Sequence, residues 1–296
     1  MGSRRSAFEH KRNSVMIRSL HARLLSALAA GLALLSLGAA PALADHPHPW
    51  GIWTQAPASP IMDRLETLHN WITGIIVIIT VLVFALLGYV IFKFNHKAHP
   101  TPSTRTHNAP LEVIWTIIPV VILVGIAFPS FSLLYAEDHA PDAKLTLKAT
   151  GHQWYWSYSF PDYNVGFDAN VKQDSDLKDG DYRLLSTDVP LVLPIGVDIR
   201  IIATADDVIH DWAVPAFGVK IDAVPGRLNE TWTRIEREGQ YFGQCSQLCG
   251  INHGFMPIDV QAVTADKFEA WLEEHKASKK FSTADSGTIA VSSIQR

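Results

Sequence analysis

The chain has 296 residues, 48% of them hydrophobic, which excludes an intrinsically disordered class and leaves room for one or two domains. Its formal net charge of −4 at pH 7 excludes a nucleic-acid partner, which would need a basic surface.

Residues 1–44 read as a signal or leader peptide. Arg18 and Arg23 precede the apolar run LLSALAAGLALLSLGAAPALA, and Ala42-Leu43-Ala44 stands before Asp45 as a small-residue cleavage site. A first membrane helix is the alternative, opposed by the Gly, Ala and Pro that crowd the end of the run; export follows either way. The stretch before Met16, with four Lys and Arg, is an extended leader or a misassigned start. With Asp45 as the mature terminus, 19 Lys and Arg remain against 28 Asp and Glu, a net charge of −9.

Residues 45–70 form an N-terminal segment on the exported side. Two apolar runs follow, 71–94 and 114–135, and neither contains a charge before its edge. A helix rises about 1.5 Å per residue and needs roughly 20 apolar residues to cross a bilayer, so residues 71–135 are expected to be a membrane hairpin of two transmembrane helices. Their connection carries Lys93, Lys97 and Arg105 with three histidines and no acid before Glu112, which places it on the cytoplasmic side and both termini outside. Trp115 and Tyr135 are interfacial anchors, and Pro119 and Pro129 bend the second helix against neighbours, which suggests a larger complex.

From about Asp142 the pattern changes to short alternating or β-branched segments: KLTLKATG, QWYWSYSF, RLLSTD, PLVLPIG, DIRIIATA, DWAVPA, VKIDAV, ETWTRIE, GQYFGQC and MPIDVQAV. Pro, Gly, Asp and Asn separate them at intervals of about ten residues, which predicts an antiparallel sandwich or barrel within 136–276, closed by a helix over 266–276. The tail 277–296 is Ser/Thr-rich without apolar periodicity and is expected to be disordered. Between 137 and 276 there are 23 acids against 12 Lys and Arg, a surplus that suits a basic partner or is simply a solvated acidic surface.

Two stretches of the β domain carry chemistry. The cluster His152, Gln153, Trp154, Tyr155, Trp156 and Tyr158 holds three consecutive large rings, which cannot all point inward from a strand whose side chains alternate. The second stretch, GQCSQLCGINHGFMP, places Cys245, Cys249, His253 and Met256 at offsets of 0, 4, 8 and 11, and these are the only two cysteines in the chain. Gly243, Gly250, Gly254 and Pro257 forbid a helix there, so it is a loop folded around something. In an exported protein the two cysteines could form a disulfide. Soft sulfur with imidazole is otherwise the donor set of electron-transfer copper, and His210, in a loop after the run IRIIATA, offers a second imidazole.

These motifs resemble cytochrome c oxidase subunit II over nearly all of 60–276. The resemblance is carried by LEVIWTIIP, GHQWYWSYSFPD, DVIHDWAVPAFGVKIDAVPGR and QCSQLCGINHGFMP. It implies a membrane α-helical hairpin followed by an all-β, cupredoxin-like Greek-key sandwich that holds a binuclear copper centre, CuA. By that resemblance Cys245 and Cys249 bridge the coppers, His210 and His253 are the imidazoles, and Met256 and the backbone carbonyl of Gln247 are the terminal ligands. Trp154 would receive electrons from cytochrome c, which docks on Gln153, Tyr155, Asp168 and Asp207. Glu112 would stand at the mouth of a proton-uptake channel of the heme- and copper-containing subunit I; subunit III and the lipid bilayer are further expected partners.

The resemblance and the cleavable signal together imply a bacterial inner membrane, with the amino terminus and copper domain in the periplasm. Two departures stand out. Gln247 replaces a glutamate whose side chain also holds magnesium at the boundary with subunit I, so any magnesium should bind more weakly; Ser159 replaces an acid. A membrane-tethered copper chaperone or thiol oxidoreductase would not need His253, Met256 or the aromatic strand. A quinol-oxidase subunit would lack the ligand set.

Overall fold

In the computed structural model the described residues are 46–48, 50–101 and 103–276, so the expectations for the leader and for the tail fall outside them. Helices α1 (Pro60–Lys93) and α2 (Ala109–Asp138) account for the two apolar runs: α1 begins well before its run and stops one residue short of its end, and α2 extends past its run at both ends. Both are long and apolar enough to cross a membrane, and among the described residues nothing covers the apolar stretch of either one.

Ten strands follow: β1 (Leu145–His152), β2 (Tyr155–Phe160), β3 (Val165–Ala169), β4 (Leu191–Pro194), β5 (Asp198–Ala205), β6 (His210–Val214), β7 (Val219–Ala223), β8 (Asn229–Arg234), β9 (Gly239–Cys245) and β10 (Pro257–Val263), and a closing helix α3 (Ala265–Lys276). They form two five-stranded sheets, ordered β3-β2-β1-β5-β8 and β4-β10-β9-β6-β7. The sandwich is mixed rather than purely antiparallel, because β1 runs parallel to β5 and β4 parallel to β10. Parallel neighbours need a long crossover, and residues 153–197 supply it between β1 and β5 by visiting the other sheet on the way.

Two assignments along the chain change. RLLSTD is not a strand; it belongs to a long connection that meets the sheet through the Thr187 amide, which donates to Asp259 at 3.2 Å, and through the Leu184 carbonyl, which accepts from Gln244 at 3.2 Å. The five residues VGFDA, too short to announce themselves beside a turn-rich stretch, form β3 and pair with β2. The core follows the period of two expected of strands. Leu145, Leu147 and Ala149 of β1 and Ile199, Ile201 and Ala203 of β5 face Trp212, Val214, Ile258 and Val260 across the sandwich.

The hairpin is fastened to the sandwich at named points. Ser59 caps α1, accepting from the Met62 amide at 3.0 Å and donating its hydroxyl to the Phe217 carbonyl at 2.7 Å. The Ala58 amide donates to Ala216 at 2.8 Å, Ile61 and Met62 are buried, and the Trp232 indole donates at 2.8 Å to Ala136 in the last turn of α2. Ser59→Ala removes a cap and leaves a buried carbonyl unmatched, so it should cost about 1–2 kcal/mol and raise amide exchange selectively over residues 58–62. Unchanged exchange there would show that the junction does not depend on the cap.

Candidate metal centre

Two strand pairings assemble the site. In β6 and β9, Trp212 is paired with Cys245, which places His210, two residues earlier on β6, beside the thiol. In β9 and β10, Gln244 is paired with Pro257, so residues 246–256 form the connection that returns Met256 over Cys245. The Cys245 amide donates to the Met256 carbonyl at 3.3 Å, and Ser246 donates to the Asp211 carbonyl at 3.2 Å. His210 is therefore the first residue of a strand, not a loop residue, and its position is fixed by backbone pairing. Two strands, β7 and β8, intervene before Cys245.

The sulfurs of Cys245 and Cys249 lie 3.9 Å apart, far beyond the roughly 2.05 Å of a disulfide, and both cysteines are free. His210 Nδ1 is 3.9 Å from the Cys245 sulfur and the Gln247 carbonyl 3.3 Å from it; His253 Nδ1 and the Met256 sulfur are each 3.5 Å from the Cys249 sulfur. His210, Cys245, Cys249 and Met256 are all buried, whereas the Gln247 side chain is exposed. A thiolate–metal bond is roughly 2.3 Å, so an ion between sulfurs 3.9 Å apart reaches both, and the donors present fit a soft metal.

Electrostatics agree with that fit. Burial opposes ionisation of Cys245, but the His210 contact and backbone hydrogen bonds outweigh it and hold this thiol below its ordinary value. Burial and the neighbouring Cys245 charge push Cys249 up to about 12. Cys249 therefore gives up its proton less readily than Cys245, and a cation placed between the sulfurs would favour its release.

His210 is oriented from behind. Its Nε2 lies 2.8 Å from Asp207 Oδ1, which leaves Nδ1 facing the sulfur. Burial works against charge on Asp207, but donation from His210 and from the Val208 and Gln153 amides holds its carboxyl below the usual range. Gln153 closes a second link: its side-chain amide donates to the Cys249 carbonyl at 2.8 Å, and the Trp154 indole reaches the same oxygen at 3.3 Å. Gly250, at φ +127°, lets the indole and amide lie so close.

Four residues expected to dock a partner thus separate into two kinds. Gln153 touches the metal loop and Asp207 touches His210. Asp168 does not: it accepts the Ser157 hydroxyl at 2.5 Å, and Ser157 lies 3.0 Å from His152, whose ring stacks on Tyr155. Trp156 and Tyr158 point inward and are fully buried, while Tyr155 and Ser157 line the outer face, as alternation requires. Glu112 lies far along the chain at the start of α2, where its side chain accepts the Asn108 amide at 3.1 Å and Asn108 accepts that of Leu111. The structure gives Glu112 this reciprocal helix cap and does not bring it to the metal loop.

Three residues near the site are not among the expected site residues, although Gly151 and Asp211 fall inside the motifs. Gly151 is buried in β1, and a Cβ there would meet the His210 ring at 2.8 Å. A glycine inside a strand is a cue for close approach, which could have found it. Asp206, with a side chain 68% exposed, is a freer acid than Asp207. Asp211, buried on the strand after His210, has one carboxylate oxygen with no partner.

Burial and the facing Asp222 push Asp211 up to about 6, with Lys220 opposing. An unfolded aspartate titrates near 3.9, so folded Asp211 keeps a proton the unfolded chain has released. Stability is full below about 4, falls as pH climbs toward 6, and stays lower above. Asp211→Asn should flatten that slope in urea unfolding between pH 4.5 and 7 and raise stability at pH 7; a slope that persists would assign it to other carboxyls.

The family model described as cytochrome C oxidase subunit II, periplasmic domain, matches residues 145–263, and the one for its transmembrane domain matches residues 47–133. The probable cytochrome c oxidase subunit 2 of Rickettsia felis is 49% identical over 230 residues, 77% of this chain and 73% of that one. The chain belongs to the cytochrome c oxidase subunit II family. Cytochrome c oxidase subunit 2 of Cyanidium caldarium is 45% identical over 237 residues, 78% of this chain and 93% of that one. Among solved structures, the periplasmic domain of subunit II of cytochrome oxidase from Bradyrhizobium japonicum is 50% identical, covering 48% of this chain and 99% of that chain with a TM-score of 0.45. The two family models together span both membrane helices and the β domain with its metal loop, so this subunit II chain carries the family's two parts in the family's order.

Proposed function

We propose that this chain accepts electrons from a basic cytochrome c at a binuclear copper centre and passes them to the heme of subunit I, where oxygen is reduced to water with proton pumping. The observation that carries the reading is the gathering of two free thiols, two imidazoles, a thioether and a backbone carbonyl around one buried sulfur pair. His210, Cys245, Cys249, His253, Met256 and the Gln247 carbonyl would hold the ions, and six donors are more than a single four-coordinate ion would use. The copper pair would supply a one-electron couple whose charge change is spread over both ions.

The chain's own residues hold that pair still and dry. Strand pairing fixes His210 and Cys245, Asp207 fixes the imidazole, and the buried shell of Trp156, Trp212 and Met256 keeps water off the sulfurs. Trp154 packs on the loop with its indole on the Cys249 carbonyl, which supports its role as the residue that receives electrons. The acids Asp168, Asp206 and Asp207 make the surface around Gln153 and Tyr155 negative, suited to a donor ringed by lysines. Leu248 and Ile251 stand exposed on the metal loop and give that surface an apolar centre.

The hairpin would seat the chain in a bacterial inner membrane, periplasmic domain outward, beside subunits I and III. The Gln247 side chain, exposed and uncharged, offers at most an amide oxygen to magnesium at that boundary, and Glu112 is our candidate for admitting protons.

Copper analysis with electron paramagnetic resonance on the purified chain tests the reading. Two coppers per chain sharing one unpaired electron are expected, with loss of the shared signal in Met256→Ala. A single copper indifferent to Met256 would instead favour a copper chaperone.

A further inference from the structure

Below the β domain, the outer ends of α1 and α2 enclose a cleft of about 590 Å³, within the size range of small-molecule sites. Its mouth carries Asp63, Arg64 and Thr67, and its walls Leu68, Trp71 and Leu133. Asp63 and Arg64 are both exposed, and among the described residues neither side chain has a partner. Glu66, on the same helix, accepts from Thr54 at 3.2 Å and does not line the cleft, nor do Glu137 and Asp138 at the end of α2.

Polarity changes along the cleft in the way a bilayer does. The apolar run of α1 begins at Trp71, and Arg64 lies seven residues nearer the β domain, about 10 Å up the helix. That puts Trp71 at the edge of the hydrocarbon, where tryptophan anchors, and Arg64 among headgroups. The polar mouth and apolar wall are therefore at the depths of a headgroup and of the first part of an acyl chain.

We propose that this cleft holds one zwitterionic phospholipid with a primary ammonium, its phosphate on Arg64 and its ammonium on Asp63. The adjacent opposite charges select the headgroup. A purely anionic lipid would satisfy Arg64 and set a second negative charge against Asp63. A quaternary ammonium has no N–H to donate to the carboxylate. A primary ammonium donates to Asp63 while the phosphate accepts from Arg64, giving two charge-assisted hydrogen bonds.

The test uses the detergent-purified oxidase complex, delipidated and then supplied with spin-labelled phosphatidylethanolamine or, separately, spin-labelled phosphatidylglycerol. Motionally restricted lipid is counted per complex. The parent should hold one more restricted phosphatidylethanolamine than Arg64→Ala, whose retention falls about tenfold or more because the phosphate no longer has its guanidinium donor. Leu68→Trp, which fills the cleft and keeps both charges, should lose the same molecule, and Asp63→Asn should weaken phosphatidylethanolamine alone. Equal counts in parent and variants overturn the site, and equal retention of phosphatidylglycerol overturns the headgroup. A photo-crosslinker at Thr67 that captures another subunit instead of lipid overturns the occupant.

Discussion

Gly151→Ala is expected to weaken copper uptake by about tenfold to a hundredfold while the β domain still folds. An alanine Cβ at 151 would lie 2.8–2.9 Å from three atoms of the His210 side chain, closer than such atoms ever stand. The backbone of β1 cannot retreat, because Gly151 is paired with Ala205 on one side and Trp156 on the other. The imidazole must move instead, away from Asp207 and from the Cys245 sulfur. Overpacking of this kind costs about 1–3 kcal/mol, and each 1.4 kcal/mol is a factor of ten in affinity. Competition of a copper chelator against the loaded domain measures it, with circular dichroism to establish that the sheets persist. Parental affinity in the variant would mean that the two strands can separate at no cost.

The same glycine shows where reading from sequence stops. The loop ligands are legible because four donors of three kinds fall within twelve residues, a pattern that packing alone has no reason to make. His210 is legible only as a donor of the right type at a workable distance along the chain; that it opens a strand paired to the cysteine strand is a property of register. Gly151 and Gln153 acquire their partners at the site from the second sheet and the crossover, and beyond the cue of a glycine inside a strand no local pattern encodes a partner nearly a hundred residues away. Gln153 reaches Cys249 in this manner.

The fold divides along the same line. Apolar runs of twenty or more residues announce α1 and α2 through length alone, and alternation announces most of the strands. VGFDA is missed because five residues, four of them buried, show little alternation. RLLSTD misleads because its leucines look like strand positions, while in the structure Leu184 adopts φ +64° and accepts Gln244 through its carbonyl. The beginning of α1 is hidden for another reason: Ser59, Ile61 and Met62 are ordinary helix-start residues until Phe217 and Gly218 close over them.

Asp207 and Asp168 carry the same charge on the same surface, and replacing each with asparagine should separate docking from metal tuning. Either change removes one negative charge from the surface proposed to face a basic donor, so either should slow association at low salt, with the difference fading near 0.15 M as the screening length falls to about 8 Å. Only Asp207 reaches the site. Its Oδ1 is 2.8 Å from His210 Nε2, and its other oxygen accepts the Gln153 amide at 2.7 Å; Asp168 instead accepts from Ser157. An asparagine at 207 offers one acceptor where the carboxylate offers two, so the imidazole loses the partner that sets its tautomer. Second partners of this kind are typically worth about 10–100-fold in metal affinity. Asp207→Asn should therefore weaken copper binding and shift the copper spectrum at every salt concentration, while Asp168→Asn leaves both unchanged and alters only the salt dependence of electron delivery. If the two variants behave alike in copper affinity and spectrum, Asp207 acts only through its charge at the surface, and its hydrogen bond to His210 does not position the ligand.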